Sequence, residues 1–370
     1  VPRTIFLHTG WRTAGTWLWT RLRTNPDVMG FYEPLNEVLA SIGHGEIRRH
    51  RTDSWPSNHP FQERPYYAEF APFVRRFGRG IRHYDEAFAL DGWFGSADHV
   101  PGALRTYLGS LVDHAAAGAQ TSVFKCTRSL GRMPWFTQTF PDATHVAVVR
   151  NPLDQWCSAW QQAMRHGNPY FLVMPWLMLH RNRHRDAVAS TAEMLGIDPI
   201  DAGTGRLLRQ LDRVAGRIAG VDPERSYRAF LVMWALSIID AFRYADLVVD
   251  VDALQHGGAG RHQLEREITA HLGMHVDFRA FDIPRHAAHH PVAHVVDVER
   301  VHRDAHRVLT AVCRAGERRI AQQSAAILDR NVRPAVATVR AEVMPAERAR
   351  PTRRSPERPS RPAAGRQSFG

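Results

Sequence analysis

Six residues close behind the first apolar stretch, Arg12-Thr13-Ala14-Gly15-Thr16-Trp17, combine a cation, two hydroxyls and two small side chains. Small residues let backbone N–H groups turn toward an anion, and a helix starting near Thr16 adds the positive end of its dipole. Arg12 supplies a full charge, and Thr13 and Thr16 supply hydroxyl donors. That is chemistry for a phosphate-like group; tight packing is the other use of such a turn. A second set lies in Arg150-Asn151-Pro152-Leu153-Asp154-Gln155-Trp156-Cys157-Ser158. Arg150 and Ser158 stand about two helical turns apart, close to one face, where they can grip a second phosphate. Two such grips ask for a ligand with two phosphate-like groups on one nucleoside. The third signal is a count: of 48 basic residues only Lys125 is a lysine. A lone lysine among arginines is either chance or a place where a compact ammonium is needed.

The elements that must carry these residues follow from the pattern of apolar runs. Thr4–His8, Val28–Tyr32, residues 121–125, Thr144–Val149 and Asp246–Val251 read as short buried strands. Helical patterns cover Thr16–Arg23, the stretch after Arg150, residues 205–220 and 224–245, and then Gln263–Leu272 and Val298–Leu328. Alternating strands and helices predict an α/β fold: a P-loop-like central parallel sheet with helices on both faces. Ligands in such sheets sit beyond the carboxyl ends of the strands. That singles out Gly10–Thr16, Glu33, Lys125–Arg128, Arg150–Ser158 and Asp250–Asp252. Residues 38–120 show no clear periodicity and read as an insertion forming a lid or acceptor wall, with Trp55, Tyr66, Tyr67, Trp93 and Phe94. One domain over residues 1–330 is expected.

These motifs resemble those of sulfotransferases that use 3′-phosphoadenosine 5′-phosphosulfate (PAPS). The family's first motif, [K/R]-[S/T]-G-[S/T]-T-W, binds the 5′-phosphosulfate; Arg12–Trp17 matches it in register. Its second, R-[D/N]-P-x-D-x-x-x-S, binds the 3′-phosphate; Arg150–Ser158 fits every fixed position. The resemblance implies that Arg12, Thr13, Ala14, Gly15, Thr16, Trp17, Arg150 and Ser158 hold PAPS, with Trp17 stacked on adenine. Ala14 stands where the family usually has glycine and Gly15 where it has Ser or Thr. The glycine has moved by one place, which removes a hydroxyl and is expected to change the turn's dihedrals. Lys125-Cys126-Thr127 replaces the K-x-H of aryl sulfotransferases, so the usual histidine base is absent there. Tyr32-Glu33-Pro34 resembles the YEP element of carbohydrate and some bacterial sulfotransferases, which makes Glu33 the general base. A cap or an ion pair is the other use for that carboxylate. Lys125 to Arg128 resembles the K-x-x-R of the same groups and puts Lys125 beside the sulfuryl group, with Arg12. The implied activity is sulfuryl transfer from PAPS to a hydroxyl of a small molecule or sugar, with no metal. The alternatives are a non-catalytic adenosine 3′,5′-bisphosphate-binding protein and a nucleotide-dependent kinase. The kinase needs a Gly-Lys-Ser/Thr loop that this sequence lacks.

Composition narrows the class further. The net charge is +11, and from Asn331 onward nine arginines face three glutamates, so the tail carries six of those charges. With six prolines and few large apolar residues, residues 331–370 read as a disordered Arg/Pro-rich tail. What remains is mildly basic, which suits a small anion and does not ask for nucleic acid. The three cysteines, Cys126, Cys157 and Cys313, have no paired spacing. No apolar run reaches the length of a membrane span and no signal peptide precedes the first strand, so a soluble cytoplasmic protein is expected.

Overall fold

The structure, a computed structural model, describes residues 2–50, 62–95, 97–255, 258–278 and 296–330. Trp55 and the expected tail over residues 331–370 lie outside the described residues. In chain order the elements are β1 (Thr4–Thr9), α1 (Gly15–Arg23), β2 (Val28–Tyr32), α2 (His44–Arg49), α3 (Ala103–Ala117), β3 (Thr121–Cys126) and α4 (Met133–Thr139). Then come β4 (Thr144–Val149), α5 (Pro152–His166), α6 (Tyr170–Asn182), α7 (Asp186–Met194), α8 (Leu207–Ile218) and α9 (Pro223–Tyr244). β5 (Leu247–Asp250), α10 (Val251–Gln255), α11 (Gly258–Leu272), α12 (Val298–Val312) and α13 (Arg318–Leu328) follow.

The strands form one five-stranded sheet in the order β2-β3-β1-β4-β5, every pairing parallel. Apolar residues run almost unbroken along β1 and β4 because both faces are covered. On one face the register lines up Phe31, Phe124, Phe6 and His145 across four strands. Their rings stack in sequence, with centroids 5.0, 4.8 and 5.6 Å apart. Further along the same face Ala147 and Val149 of β4 join a cluster built from α5, α6 and α9, while Leu7, Val146 and Val148 on the opposite face pack with Leu18 and Leu22 of α1. Within β1, His8 is fully buried and both its ring nitrogens are paired: Nδ1 lies 2.8 Å from Ser129 Oγ and Nε2 lies 3.0 Å from His145 Nδ1.

Two expectations need correction. Irregular chain does not run through residue 120, because α3 covers Ala103–Ala117 and buries Leu104, Tyr107, Leu108, Leu111 and Ala115. Those positions carry the helical period, and each buried leucine stabilises the packing by about 1.5–3 kcal/mol. Nor is Val298–Leu328 one helix. The chain breaks after Val312, turns at Gly316 with φ 92°, and returns as α13. The turn brings the end of α13 to the second motif. There the Asn151 amide donates to the carbonyls of Ile327 at 3.0 Å, Leu328 at 2.9 Å and Arg330 at 2.5 Å. The α6 helix carried no sequence signal, since its run Tyr170–Leu179 is apolar all round and contains Pro175. No helix among the described residues is long and apolar enough to cross a membrane.

Candidate active site

The strand order puts the ends of β2, β3, β1 and β4 side by side, so every site residue expected from sequence falls along one edge. At the end of β1 the loop turns through two left-handed residues, Arg12 (φ 62°) and Ala14 (φ 58°). Ala14 is the N-cap of α1. At position 14 the alanine itself takes the left-handed conformation that glycine favours. Gly15 is explained by packing. A Cβ there would lie 2.5 Å from Thr9 Cγ2 and 2.9 Å from Thr9 Cβ, so α1 meets the end of β1 too closely for a serine or threonine.

The two grips are already joined. Arg12 Nε donates to Ser158 Oγ at 2.8 Å, and Arg150 Nη1 donates to the Arg12 carbonyl at 3.1 Å. Ser158 thus sits against Arg12, which the Arg150 guanidinium holds by its carbonyl. Asn151 caps α5 by accepting from Asp154 N at 3.1 Å, with Pro152 as the first helical residue. Asp252, in the first turn of α10 just past β5, accepts from Asn151 N at 2.7 Å and lies 3.7 Å from Arg150 Nε. Burial first, only partly offset by Asn151 and Arg150, holds its carboxyl above the ordinary value. Thr13 donates its hydroxyl to the Gly10 carbonyl at 2.9 Å. Thr16 is buried in the first turn of α1. Trp17 is half-buried, with the Phe278 ring 5.3 Å away and the Arg21 guanidinium 5.2 Å over its ring.

Glu33 and Lys125 meet at the ends of β2 and β3. Glu33 N continues the ladder to the Lys125 carbonyl at 2.8 Å, and then the backbone turns left-handed at φ 46°. That turn, a conformation costing of order 1–3 kcal/mol in a non-glycine residue, carries the side chain back over β3. Oε1 pairs with the Lys125 ammonium. Oε2 accepts from Thr127 N at 3.0 Å and Thr127 Oγ1 at 2.7 Å. Burial pushes the Glu33 carboxyl up, but the Lys125 charge and the hydrogen bonds outweigh it, and the net direction is down. The Lys125 ammonium also lies 5.0 Å over the Tyr32 ring.

Around this pair stand Arg128 and Thr127, from the stretch past β3 that sequence singled out, and Tyr170 and Phe171, which it did not. Arg128 is buried, donates to the Leu35 carbonyl at 2.9 Å, and pairs with Glu37 and the Tyr170 hydroxyl. Tyr170 donates to Glu37 Oε1 at 3.0 Å. The next residue, Phe171, lies 5.4 Å under the Arg12 guanidinium. The head of α6 therefore touches both ends of the site. Thr127 has a detectable signal, standing two residues past Lys125, the period of a strand. Tyr170 and Phe171 have none. A small, mainly apolar cavity of about 40 Å³ lies alongside, lined by Trp11, Thr13, Trp93, Thr127, Arg150 and Trp234 among others. Trp93 stacks on Trp11 at 6.4 Å. Tyr66 and Tyr67 are buried against Tyr32, at 4.8 and 5.6 Å.

The other carboxylates and imidazoles near in sequence are differently placed. Burial and His145 hold His8 well below the ordinary imidazole value, neutral in the core. Glu37 is committed to Arg128 and Tyr170, and Asp98 and His99 are exposed.

No family model matches the chain, and no curated protein matches it. Among solved structures, a sulfotransferase from Alicyclobacillus acidocaldarius aligns with 92% of this chain and 100% of its own, at 15% identity and a TM-score of 0.37.

Proposed function

We propose that this chain is a sulfotransferase that moves the sulfuryl group of PAPS to a hydroxyl of a small-molecule or sugar acceptor. One observation carries it: a buried carboxylate–ammonium pair, Glu33 with Lys125, lies along the same strand-end edge as Arg12, Ser158 and Arg150. The donor set suits PAPS. Arg150, Ser158 and Arg12 offer directed donors to its phosphates, the first turn of α1 adds its dipole, and PAPS supplies the sulfuryl group.

Sulfuryl transfer needs positioning and positive charge more than covalent help from the protein. The acceptor oxygen bonds sulfur as the bond from sulfur to the 5′-phosphate oxygen breaks. Lys125 and Arg12 answer the charge on the transferring group and the leaving oxygen. Glu33 takes the hydroxyl proton and later gives it to water, and adenosine 3′,5′-bisphosphate leaves. The cavity beside Thr127 offers room for an apolar part of the acceptor.

The second reading, a bisphosphate-binding protein without turnover, draws on the same pair, because both oxygens of Glu33 are engaged. Incubation with PAPS and a panel of phenols, alcohols and sugars separates the two. An acceptor that gains the mass of a sulfate supports transfer. Tight bisphosphate binding with no acceptor modified supports binding alone, and no binding of either nucleotide removes both.

A further inference from the structure

The two oxygens of Glu33 have partners of different kinds. Oε1 holds the Lys125 ammonium, and Oε2 holds the N–H and hydroxyl of Thr127. During transfer the ammonium is wanted elsewhere, on the oxygens of the sulfuryl group. A carboxylate that keeps its cation is also a weak base, whereas one that gives it up becomes stronger at the moment a proton must be taken. Once Lys125 leaves, however, a long side chain on a left-handed residue has lost a restraint.

We propose that Thr127 is the positioning residue of the base: it fixes Oε2 of Glu33 while Lys125 turns from Oε1 to the sulfuryl group, so that Oε1 is left to take the acceptor proton. This rests on Glu33 being the base. The geometry fits the task. The Thr127 N–H is set by the end of β3, and its hydroxyl must donate, because an ionised carboxylate only accepts. Thr127 is half-buried and lines the cavity, whereas Lys125 and Glu33 are buried. The other ionisable groups that feel Glu33 are Cys126 on β3, Arg128 just past it and Tyr170 on α6, with Glu37 paired to Arg128. None of them bonds to Oε2 among the described contacts.

The experiment is steady-state kinetics with PAPS and an accepted hydroxyl substrate across pH. Thr127→Val keeps the backbone N–H and removes the hydroxyl. The expected result is a fall in kcat on the order of 10- to 100-fold, the scale of a misplaced reacting group. The acid limb of kcat/KM should move to higher pH, because a donor to the ionised form is gone. Bisphosphate affinity should hold, and Thr127→Ser should restore both kcat and the limb. In a Glu33→Gln background Thr127→Val should add little. Wild-type kcat with an unmoved limb, or an undiminished extra loss in that background, overturns the proposal. If the valine variant does not fold, Thr127→Ala reads out the same quantities. Failure of the underlying assignment is separate: Glu33→Gln then turns over like the wild type.

Discussion

Arg12 Nε and Ser158 Oγ, 146 positions apart in sequence, meet at 2.8 Å and tie the loop after β1 to the helix after β4. Through that bond and the one from Arg150 to the Arg12 carbonyl, the two expected anion grips form one assembly. A ligand with phosphates at both ends would engage it as a unit.

Nucleotide selectivity follows. Adenosine 3′,5′-bisphosphate should bind tightly and AMP and ATP weakly. Arg150→Ala should cost the bisphosphate on the order of 1.5–3 kcal/mol, the worth of a charged hydrogen bond, and leave AMP nearly unchanged. Calorimetry showing equal affinity for AMP and the bisphosphate in the wild type refutes the assignment of Arg150.

Glu33→Gln keeps the shape and removes the proton acceptor. Turnover should drop ~10²–10⁴-fold with bisphosphate affinity retained. In the wild type, because Lys125 and Thr127 outweigh burial, the acid limb of kcat/KM should lie below the ordinary carboxylate value of 4.5, with none near neutrality. The linked stability has the same sign. The folded state holds this proton less tightly than the unfolded chain, so the contribution is complete above 4.5 and fades as pH falls through the lowered value. Urea midpoints measured from neutral to acid pH should show that loss in the wild type and not in Glu33→Gln.

Lys125→Arg should not rescue function. A guanidinium is wider, prefers two oxygens at once, and would have to fit a buried site against Tyr32. The loss should fall on kcat, by about 2.7–4 kcal/mol of transition-state stabilisation, while bisphosphate binding weakens less. Full activity in a folded Lys125→Arg protein would mean that the lone lysine is chance.

Gly15→Ser, the residue type found in the resembling family, should destabilise this chain by about 1–3 kcal/mol through overpacking against Thr9. Ala14→Gly should be tolerated or mildly stabilising, because it relieves a left-handed alanine at some cost in unfolded-state entropy. Thermal unfolding of the two variants tests the order; Gly15→Ser as stable as the wild type contradicts the packing account.

A chain ending after Arg330 should keep its turnover on a small acceptor, since every candidate site residue precedes that point. The cut must spare Arg330, whose carbonyl accepts from Asn151 and whose guanidinium pairs with Asp250. A chain ending after Asp329 should therefore lose bisphosphate affinity. Inactivity of a folded protein ending after Arg330 would assign the tail a part in the chemistry.

The strands, and the turns and helix starts that carry the two motifs, were legible because they rest on local rules: apolar runs of strand length, small residues before a helix, Asn-Pro at a helix start. Glu33 and Lys125 were legible only as residues just past strands. Their pairing was not, because it needs β2 and β3 to be parallel neighbours in a register that sets Tyr32 beside Lys125. The same limit hid Thr127's grip on Glu33 and the contacts of Tyr170 and Phe171. For α3 the period was present and the irregular chain before it masked it, whereas α6 has no period to find.

By itself, then, the sequence determined which residue types stand at the strand ends, since alternation of buried runs and helices depends on neighbours a few positions away. The tertiary structure decided which of them touch. Parallel strands are joined only through long crossovers, so the order β2-β3-β1-β4-β5, and with it the meeting of Glu33 with Lys125 and of Arg12 with Ser158, depends on how helices such as α3 and α9 pack across the sheet.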